Sequence, residues 1–176
     1  MGNNWKITDT LTKVFAEEVP DGQGSIRLST LHRETVSCVI AYFGTADWGR
    51  YWKVSVKAPE KIETRLRRVE LVPSAYPCHK EQDDNYLRIV PGMYPDLLRD
   101  LDTEDDGADK KYLTKEVPGQ WRSLWLDVTV DVELAGGDYA IVIEAETEDG
   151  EKETLKADLH VVDASLPPQK LLHTEW

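Results

Sequence analysis

The sequence lacks several patterns whose absence narrows its function. No apolar run approaches the roughly 20 residues needed to cross a bilayer. The first residues have no basic start followed by an apolar stretch, so we expect no secretion signal. There is no glycine-rich loop to cradle a phosphate, and the histidines lie outside any nucleophile motif. We therefore expect no membrane partner, no cofactor and no nucleophilic catalytic centre.

Positive charge is also scarce. The chain has 21 lysines and arginines against 33 acidic residues, which gives a net charge of −12. Its one tight basic cluster, Arg65 to Arg68, is flanked by Glu63 and Glu70. Nucleic-acid binding needs a surplus of cations on one face, so the charge balance argues against a nucleic-acid partner.

Cysteine is limited to two residues. Cys38 lies in a strand-like run and is best explained as a small buried apolar side chain. Cys78 adjoins His79, but a zinc site needs about four ligands and the sequence offers no further pair. A disulfide is an alternative that nothing requires. Free thiols are typical of a reducing compartment, so we expect a cytoplasmic protein without a metal site.

Alternation of apolar and polar residues is the strongest pattern that is present. It runs through Leu124–Val132, Tyr139–Ala145 and Leu155–Val161, and it predicts three antiparallel strands. Glycines at Ala135–Asp138 and the Asp149–Gly150 pair supply turns between them.

The first half contains similar runs of less even spacing. The run Glu34–Phe43 is apolar on both faces and predicts a central, covered strand. The N-terminus has apolar residues at helical spacing, but its threonines favour an extended first strand. Many short strands and turn glycines with little helix predict an antiparallel β-sandwich, immunoglobulin-like or jelly-roll-like. The other strand-like runs are Ile26–Leu28, Tyr51–Lys57 and Arg67–Val72.

The middle of the chain, Pro73–Pro118, has a different composition. It holds five of the nine prolines and a charged tract, which predict long loops. Within it, Asp96–Leu101 could form a short helix because an aspartate at its start suits the helix dipole. Tyr94–Asp96 is either a rigid turn or a loop that packs on another domain beside its substrate mouth.

Adjacent acids offer no convincing catalytic pair. Glu17–Glu18, Asp83–Asp84 and Asp105–Asp106 lie in polar stretches, where carboxylates usually solvate a surface. A general acid needs burial or a close like charge to raise its pKa. The tract Asp100–Gly107 lacks the ligand spacing and closing glutamate of a calcium loop. We expect no metal site there.

The C-terminal residues suggest a second domain. Asp163–Pro168 ends in a double proline, typical of a stiff extended linker. The next residues, Gln169–Trp176, include two leucines and a tryptophan. We therefore expect a β-sandwich over residues 1–163, and over residues 164–176 a linker and the start of another domain.

Five segments, weak singly but in consistent order, cover nearly the whole chain. Together they resemble the N-terminal β-sandwich of glycoside hydrolase family 123 and its relatives. The segments are Asp84–Arg88, Pro91–Leu98, Gln120–Leu126, Ala135–Tyr139 and Leu166–Trp176.

The resemblance implies that a (β/α)8 barrel follows, with His173–Trp176 as its first strand. In that family the barrel carries an adjacent Asp-Glu pair and acts on terminal N-acetylgalactosamine, with the substrate's acetamido group as nucleophile. The sequence ends before the position of that pair. The resemblance thus implies an accessory domain without activity, whose partners are the barrel of its parent enzyme and carbohydrate.

Aromatic residues provide the candidate contacts. Tryptophan and tyrosine are plentiful, and their flat faces and polar edges suit a sugar or a domain interface. Trp48 and Trp52 lie near a glycine turn, whereas Trp121 and Trp125 face away from Leu124. Core packing, the barrel interface and glycan stacking all remain open. Candidate interdomain or substrate-facing residues are Tyr94, Asp96, Trp121, Trp125, His173, Glu175 and Trp176.

Two other functions remain open as well. One is a stand-alone carbohydrate-binding module that uses exposed tryptophans, and the other is an immunoglobulin-like interaction domain unrelated to sugars.

Overall fold

A computed structural model describes residues 4–45, 50–76, 86–105 and 110–168, and within these ranges every regular element is a strand. The strands are β1 Trp5–Thr8, β2 Ser25–His32, β3 Thr35–Phe43, β4 Tyr51–Lys57, β5 Ile62–Ser74, β6 Gly92–Asp100, β7 Thr103–Asp105, β8 Lys110–Lys115, β9 Trp121–Val130, β10 Gly137–Thr147 and β11 Lys152–Ser165.

The strands form two sheets packed face to face. The five-stranded sheet has the order β1-β3-β9-β5-β6, and the six-stranded sheet has the order β2-β11-β10-β4-β8-β7. Neighbouring strands are antiparallel except β2 and β11, which run parallel. The predicted antiparallel β-sandwich is confirmed.

The core lies between the sheets, where the alternating runs place their apolar positions. Leu124 and Leu126 of β9 face Ile141 and Leu159 of the other sheet in one buried cluster. Cys38 lies there too, and burial, reinforced by the charge of Asp127, raises the pKa of its thiol to about 12. Cys38 is therefore a packing residue, as predicted.

The β10–β11 hairpin follows its sequence signal. Gly150 has φ 89°, a left-handed conformation that glycine adopts without steric cost. Its amide donates to the Thr147 carbonyl at 3.1 Å. Strand β9, predicted as one of the same three antiparallel strands, belongs to the other sheet, because the turn before Gly137 carries the chain across the sandwich.

The predicted long loops between Pro73 and Pro118 are wrong for the second part of that range, since β6, β7 and β8 lie there, whereas the described residues between Ser74 and Gly92 form no strand. The suggested helix at Asp96–Leu101 is wrong too, because β6 pairs with β5 from Ser74 opposite Gly92 to Arg67 opposite Asp100. Pairing along the edge of a sheet overrides local helix preference. Proline is tolerated in β6 because this strand is at the edge.

Both ends of the described chain are extended. The predicted first strand is confirmed as β1, and β11 continues to Ser165, beyond its predicted end near Val162. Among the described residues, no helix has the length and apolarity to cross a membrane.

Candidate functional site

The outer faces of the two sheets differ in character. The six-stranded sheet carries cross-strand polar pairs such as the ion pair of Lys57 with Glu144 at 2.7 Å and the hydrogen bond between His160 Nδ1 and Asp138 Oδ1 at 2.8 Å. These are exposed pairs of a solvated surface. The five-stranded sheet instead presents Val39, Ala41 and Trp121 on its outer face. An apolar outer face requires a cover.

Residues 9–20, which we call the N-terminal strap, provide part of that cover. Val14 packs against Val39, Ala41 and Trp121 in a buried cluster separate from the main core. The Trp121 amide donates to the Ala16 carbonyl at 2.8 Å and fixes the strap to the start of β9.

Arg88 joins the strap to the segment that precedes β6. Its guanidinium lies 3.8 Å from the ring centroid of Phe15 and forms ion pairs with Glu17 and Glu18. Tyr94 packs edge-on against Phe15, with ring centroids 5.8 Å apart. Glu17 and Glu18 thus do more than solvate a surface, because they anchor this arginine.

A large exposed apolar surface lies beside Arg88. Of the large apolar side chains exposed in the described part of the chain, more than half lie between Tyr76 and Leu97. Tyr76, residues 86–90 and Met93 lie around the loop end of the β5–β6 hairpin, where Ser74 pairs with Gly92, and Leu97 lies farther along β6, opposite Glu70. We call this surface the apolar flank: Tyr76, Tyr86, Leu87, Ile89, Val90, Met93 and Leu97.

Between the strap and β6 lies a small cavity of about 190 Å³, which we call the Trp125 groove. Trp125 is half buried, and its indole Nε1 donates to Asp127 Oδ1 at 2.7 Å. Ser37 donates to the same carboxylate oxygen at 2.7 Å, and Arg67 pairs with the other oxygen. This network fixes the orientation of the indole ring.

The groove also contains polar groups that the strap and the strands hold close together. Ser123 lies at its floor and is only 3% exposed, whereas Lys13 and Asp96 are exposed on opposite walls. These polar groups around an apolar floor make the groove amphipathic.

The predicted contact residues fall into three groups. Tyr94 and Asp96 lie in β6, not in a loop, and Trp121 and Trp125 lie on the outer face of β9, turned away from Leu124 as predicted. Tyr94 and Trp121 both touch the strap cluster, and Asp96 and Trp125 share the groove. The remaining candidates lie outside the described residues: His173, Glu175 and Trp176, together with Trp48, Cys78 and His79.

Trp52 has a structural role. It is 2% exposed and packs edge-on against Trp5, so its ring cannot stack on a ligand. Its Nε1 donates to Glu116 at 2.6 Å, and the Arg50 guanidinium lies 5.3 Å from its ring centroid. These contacts tie β4 to the end of β8.

The chain leaves the sandwich far from Trp121. The Leu166 amide donates to the His32 carbonyl, and the adjacent Arg33 amide donates to Val130 at the end of β9. Trp121 begins that strand, so about 30 Å separates the two ends at roughly 3.3 Å per residue. Sequence analysis missed this separation and also missed Arg88, Ser123 and Lys13, because these features arise from pairing between distant segments.

The described residues hold no group of three or more histidine, cysteine, aspartate or glutamate side chains arranged to bind a metal ion.

Comparison with solved structures finds this fold in a family 123 glycoside hydrolase from Clostridium perfringens, with a TM-score of 0.63 and 10% identity over 93% of this chain. The match covers 28% of that enzyme, so the chain spans less than a third of its length. Identity this low shows a shared fold alone.

Two further structures match with lower TM-scores. A form of the major pilin subunit of Bacillus cereus has a TM-score of 0.43 and 8% identity over 90% of this chain and 40% of its own. The C-terminal domain of the AgI/II polypeptide BspA of Streptococcus agalactiae has a TM-score of 0.43 and 14% identity over 89% and 49%. No protein-family model and no curated protein matches the sequence.

Proposed function

We propose that this chain is a non-catalytic N-terminal accessory domain of a glycoside hydrolase-like protein, and that it packs against a C-terminal barrel. The observation that carries the proposal is the apolar flank. A concentration of exposed large apolar side chains in one part of a domain is typical of an interaction site. These side chains are exposed in the sandwich, whereas the six-stranded face carries cross-strand ion pairs such as Lys57 with Glu144, and this difference favours the flank as the docking side.

The contacts that hold the backbone of the flank in place also support a docking role for this surface. Arg88 holds the segment before β6 through its ion pairs and its contact with Phe15. Tyr94 adds a hydrogen bond from its hydroxyl to the Val90 carbonyl. An interface whose backbone is fixed before binding loses less conformational entropy when it docks.

The dimensions are compatible with a barrel as partner. A domain that follows residue 168 and also covers the flank must extend along the roughly 30 Å of the five-stranded sheet. A (β/α)8 barrel of about 250 residues has a radius of gyration of about 18 Å, so it spans that length.

Activity is assigned to the parent protein. We expect the barrel to act on glycans that contain N-acetylhexosamine, on the basis of the sequence resemblance and the shared fold. The parent gene provides the first test. A reading frame that continues past residue 176 through a barrel-sized segment with an adjacent Asp-Glu pair supports the proposal, and a stop codon after residue 176 contradicts it.

Docking is tested by measuring one pair of substitutions in two proteins. Leu87 and Val90 are exposed, so Leu87→Ser with Val90→Ser should change the stability of residues 1–176 by less than about 0.5 kcal/mol. In the longer protein the same pair should destabilise this domain by about 1–3 kcal/mol, because it removes interface contacts.

The matched control is Val162→Ser, which changes an exposed valine of the six-stranded sheet. Its effect should be small and equal in both proteins. Equal small effects of the flank pair in both proteins would show that the flank is not an interface.

A further inference from the structure

Three arginines lie close together near the β6 edge of the five-stranded sheet. Arg68 of β5 pairs with Leu124 of β9 and with Arg99 of β6. Arg122 of β9 pairs with Tyr42 of β3. Leu124 and Tyr42 belong to the main core, and paired residues share a face, so the three arginines lie on the core-facing side of this sheet. We call Arg68, Arg99 and Arg122 the arginine ledge.

The ledge extends beyond the cover of the six-stranded sheet. The side chain of Arg99 is 62% exposed and that of Arg68 is 31% exposed. Leu66, two residues before Arg68 on the same face of β5, is only 1% exposed. The ledge is therefore within reach of a partner that packs against the β6 edge.

One carboxylate is paired with the ledge in the part of the chain that the structure describes. Arg68 Nε donates to Glu70 Oε1 at 2.9 Å, and Arg99 Nε lies 3.7 Å from the same oxygen. Arg122 forms no ion pair with any described residue, and its terminal nitrogen donates to the neutral amide of Gln120 at 2.9 Å. A protein with a net charge of −12 therefore carries a local surplus of positive charge here.

This surplus is unfavourable in the isolated domain. Arg68 and Arg99 are directly opposite each other on neighbouring strands, where like charges repel. The Arg122 Nε is buried, and no residue in the described ranges accepts a hydrogen bond from it. The charge of Arg122 is therefore less well solvated than that of a surface guanidinium. A further carboxylate beside the ledge would offset both costs.

A buried hydroxyl beside the ledge senses two of its charges together. Burial raises the pKa of Tyr42 to about 12, and the charges of Arg68 and Arg122 both oppose this rise. The charge of Glu116 acts on Tyr42 in the other direction. Glu116 is 3% exposed and accepts a hydrogen bond from the Trp52 indole at 2.6 Å, so its carboxylate belongs to the core.

From this surplus of charge we propose that the arginine ledge binds an aspartate or glutamate side chain of the domain that docks on the apolar flank. This inference rests on the proposed function and names the chemistry of the partner surface. The flank and the ledge meet in β6, where Leu97 of the flank lies opposite Glu70 and two residues before Arg99. Arginine is enriched at interfaces, and its planar fork binds both oxygens of a carboxylate.

A free inorganic anion is the main alternative occupant. Small anion sites are usually completed by backbone amides at a helix N-terminus or a turn. Arg68 and Arg122 instead lie in β5 and β9, which have neighbouring strands on both sides, so their backbone amides are used in the sheet. The continuity of the ledge with the flank favours a side chain of the docked domain.

The test compares the pair Arg99→Gln with Arg122→Gln in residues 1–176 and in the longer parent protein. Hydrogen–deuterium exchange of residues 97–101 is measured, and docking protection is the ratio of the exchange rates in the two proteins. This ratio removes any effect of the substitutions on the isolated domain. We expect the pair to lower docking protection about tenfold, because charge-assisted contacts across the interface are lost.

Arg65→Gln is the matched control, because it removes an exposed arginine from the opposite face of β5. It should leave docking protection unchanged. Arg99→Lys with Arg122→Lys keeps both charges and should lose less protection than the glutamine pair. Raising NaCl from about 50 mM to about 500 mM should lower docking protection in the unmodified protein but not in the glutamine pair.

Two results would overturn this proposal and leave docking intact. One is equal docking protection in the glutamine pair and the unmodified protein. The other is a saturable shift of the Arg122 side-chain NMR signal in residues 1–176 by sulfate below about 10 mM, which would identify a site for a free anion. A longer protein that gives residues 86–97 no protection would contradict the proposed function itself, and this inference with it.

Discussion

The position of a side chain in the sheets determines its burial and its charged neighbours, and these change its pKa. Glu153 occupies a core-facing position of β11 beside the hairpin, opposite Ala145. Partial burial, and next the charge of Glu151, raises the pKa of Glu153 above its ordinary value of 4.5. The folded state therefore binds this proton more tightly than the unfolded chain does.

This shift predicts how stability depends on pH. A carboxyl group with a raised folded pKa binds its proton more tightly in the native state, so the stability that it contributes is lost as pH rises through that pKa. Glu153→Gln should therefore stabilise the domain at pH 7, and its advantage should shrink as pH falls towards 4. Urea unfolding at both pH values measures this, with the exposed Glu148→Gln as control. A constant advantage at both pH values would contradict the assignment.

Cys38 provides a second prediction at the level of one residue. Burial raises the pKa of Cys38 to about 12, so the reactive thiolate is scarce at pH 8 and shielded from reagents. In a Cys78→Ser background, an aromatic disulfide reagent should modify Cys38 only as fast as the domain opens. Rapid modification under native conditions would show that the core around Cys38 is not closed.

At the level of strands, buried and exposed side chains alternate along β11, and substitutions at the two kinds of position should change the free energy of unfolding by different amounts. Leu155 is 2% exposed and the adjacent Thr154 is exposed on the opposite face. Leu155→Ala should cost about 2–5 kcal/mol because it leaves a cavity, whereas Thr154→Ala should change stability by less than about 0.5 kcal/mol. Denaturant midpoints of the two variants give the comparison. Similar losses would mean that the strand register is wrong.

Arg88 holds the N-terminal strap in place, and the loss of its contacts should be measurable as faster amide exchange in the strap. Arg88→Ala removes two ion pairs and the contact with Phe15, so we expect a loss of about 1 kcal/mol. Amide hydrogen exchange should increase in residues 14–18 and 86–92. Arg99→Ala, which removes an exposed guanidinium 3.7 Å from Glu70, is the matched control. Unchanged exchange in Arg88→Ala would show that the strap is held by other contacts.

The sequence predicts elements whose signals are local and misses those that depend on distant partners. The alternation around Leu126 and the glycine at position 150 specify β9 and the last hairpin by themselves. Strand β6 was missed because Pro95 and its charged neighbours weaken a strand signal, and only the exposed edge of β5 makes that segment extended. The Arg88 contacts were missed for a similar reason, since Glu17 is 71 residues away.

The same distinction holds for the candidate site. Trp121 and Trp125 were identified from residue type and strand parity, and Tyr94 and Asp96 from a segment expected to form a turn or loop. The fold places Tyr94 and Trp121 against the strap, and Asp96 and Trp125 at the same groove. The burial of Ser123 cannot be predicted from the sequence, because it depends on which side chains of β5 and the strap surround it.

For the whole molecule, the central claim is that the apolar flank is the docking side of an accessory domain. A docked surface loses contact with water, and the backbone amides beneath it exchange more slowly as local opening is suppressed. The claim assigns no docking role to the six-stranded face, which therefore supplies an internal reference within the same protein.

Hydrogen–deuterium exchange of residues 1–176, alone and within the longer parent protein, tests this claim most directly. We predict slower exchange in residues 86–97 of the longer protein, with unchanged exchange in the exposed outer face of β10 and β11. Identical exchange of residues 86–97 in the two proteins would contradict it.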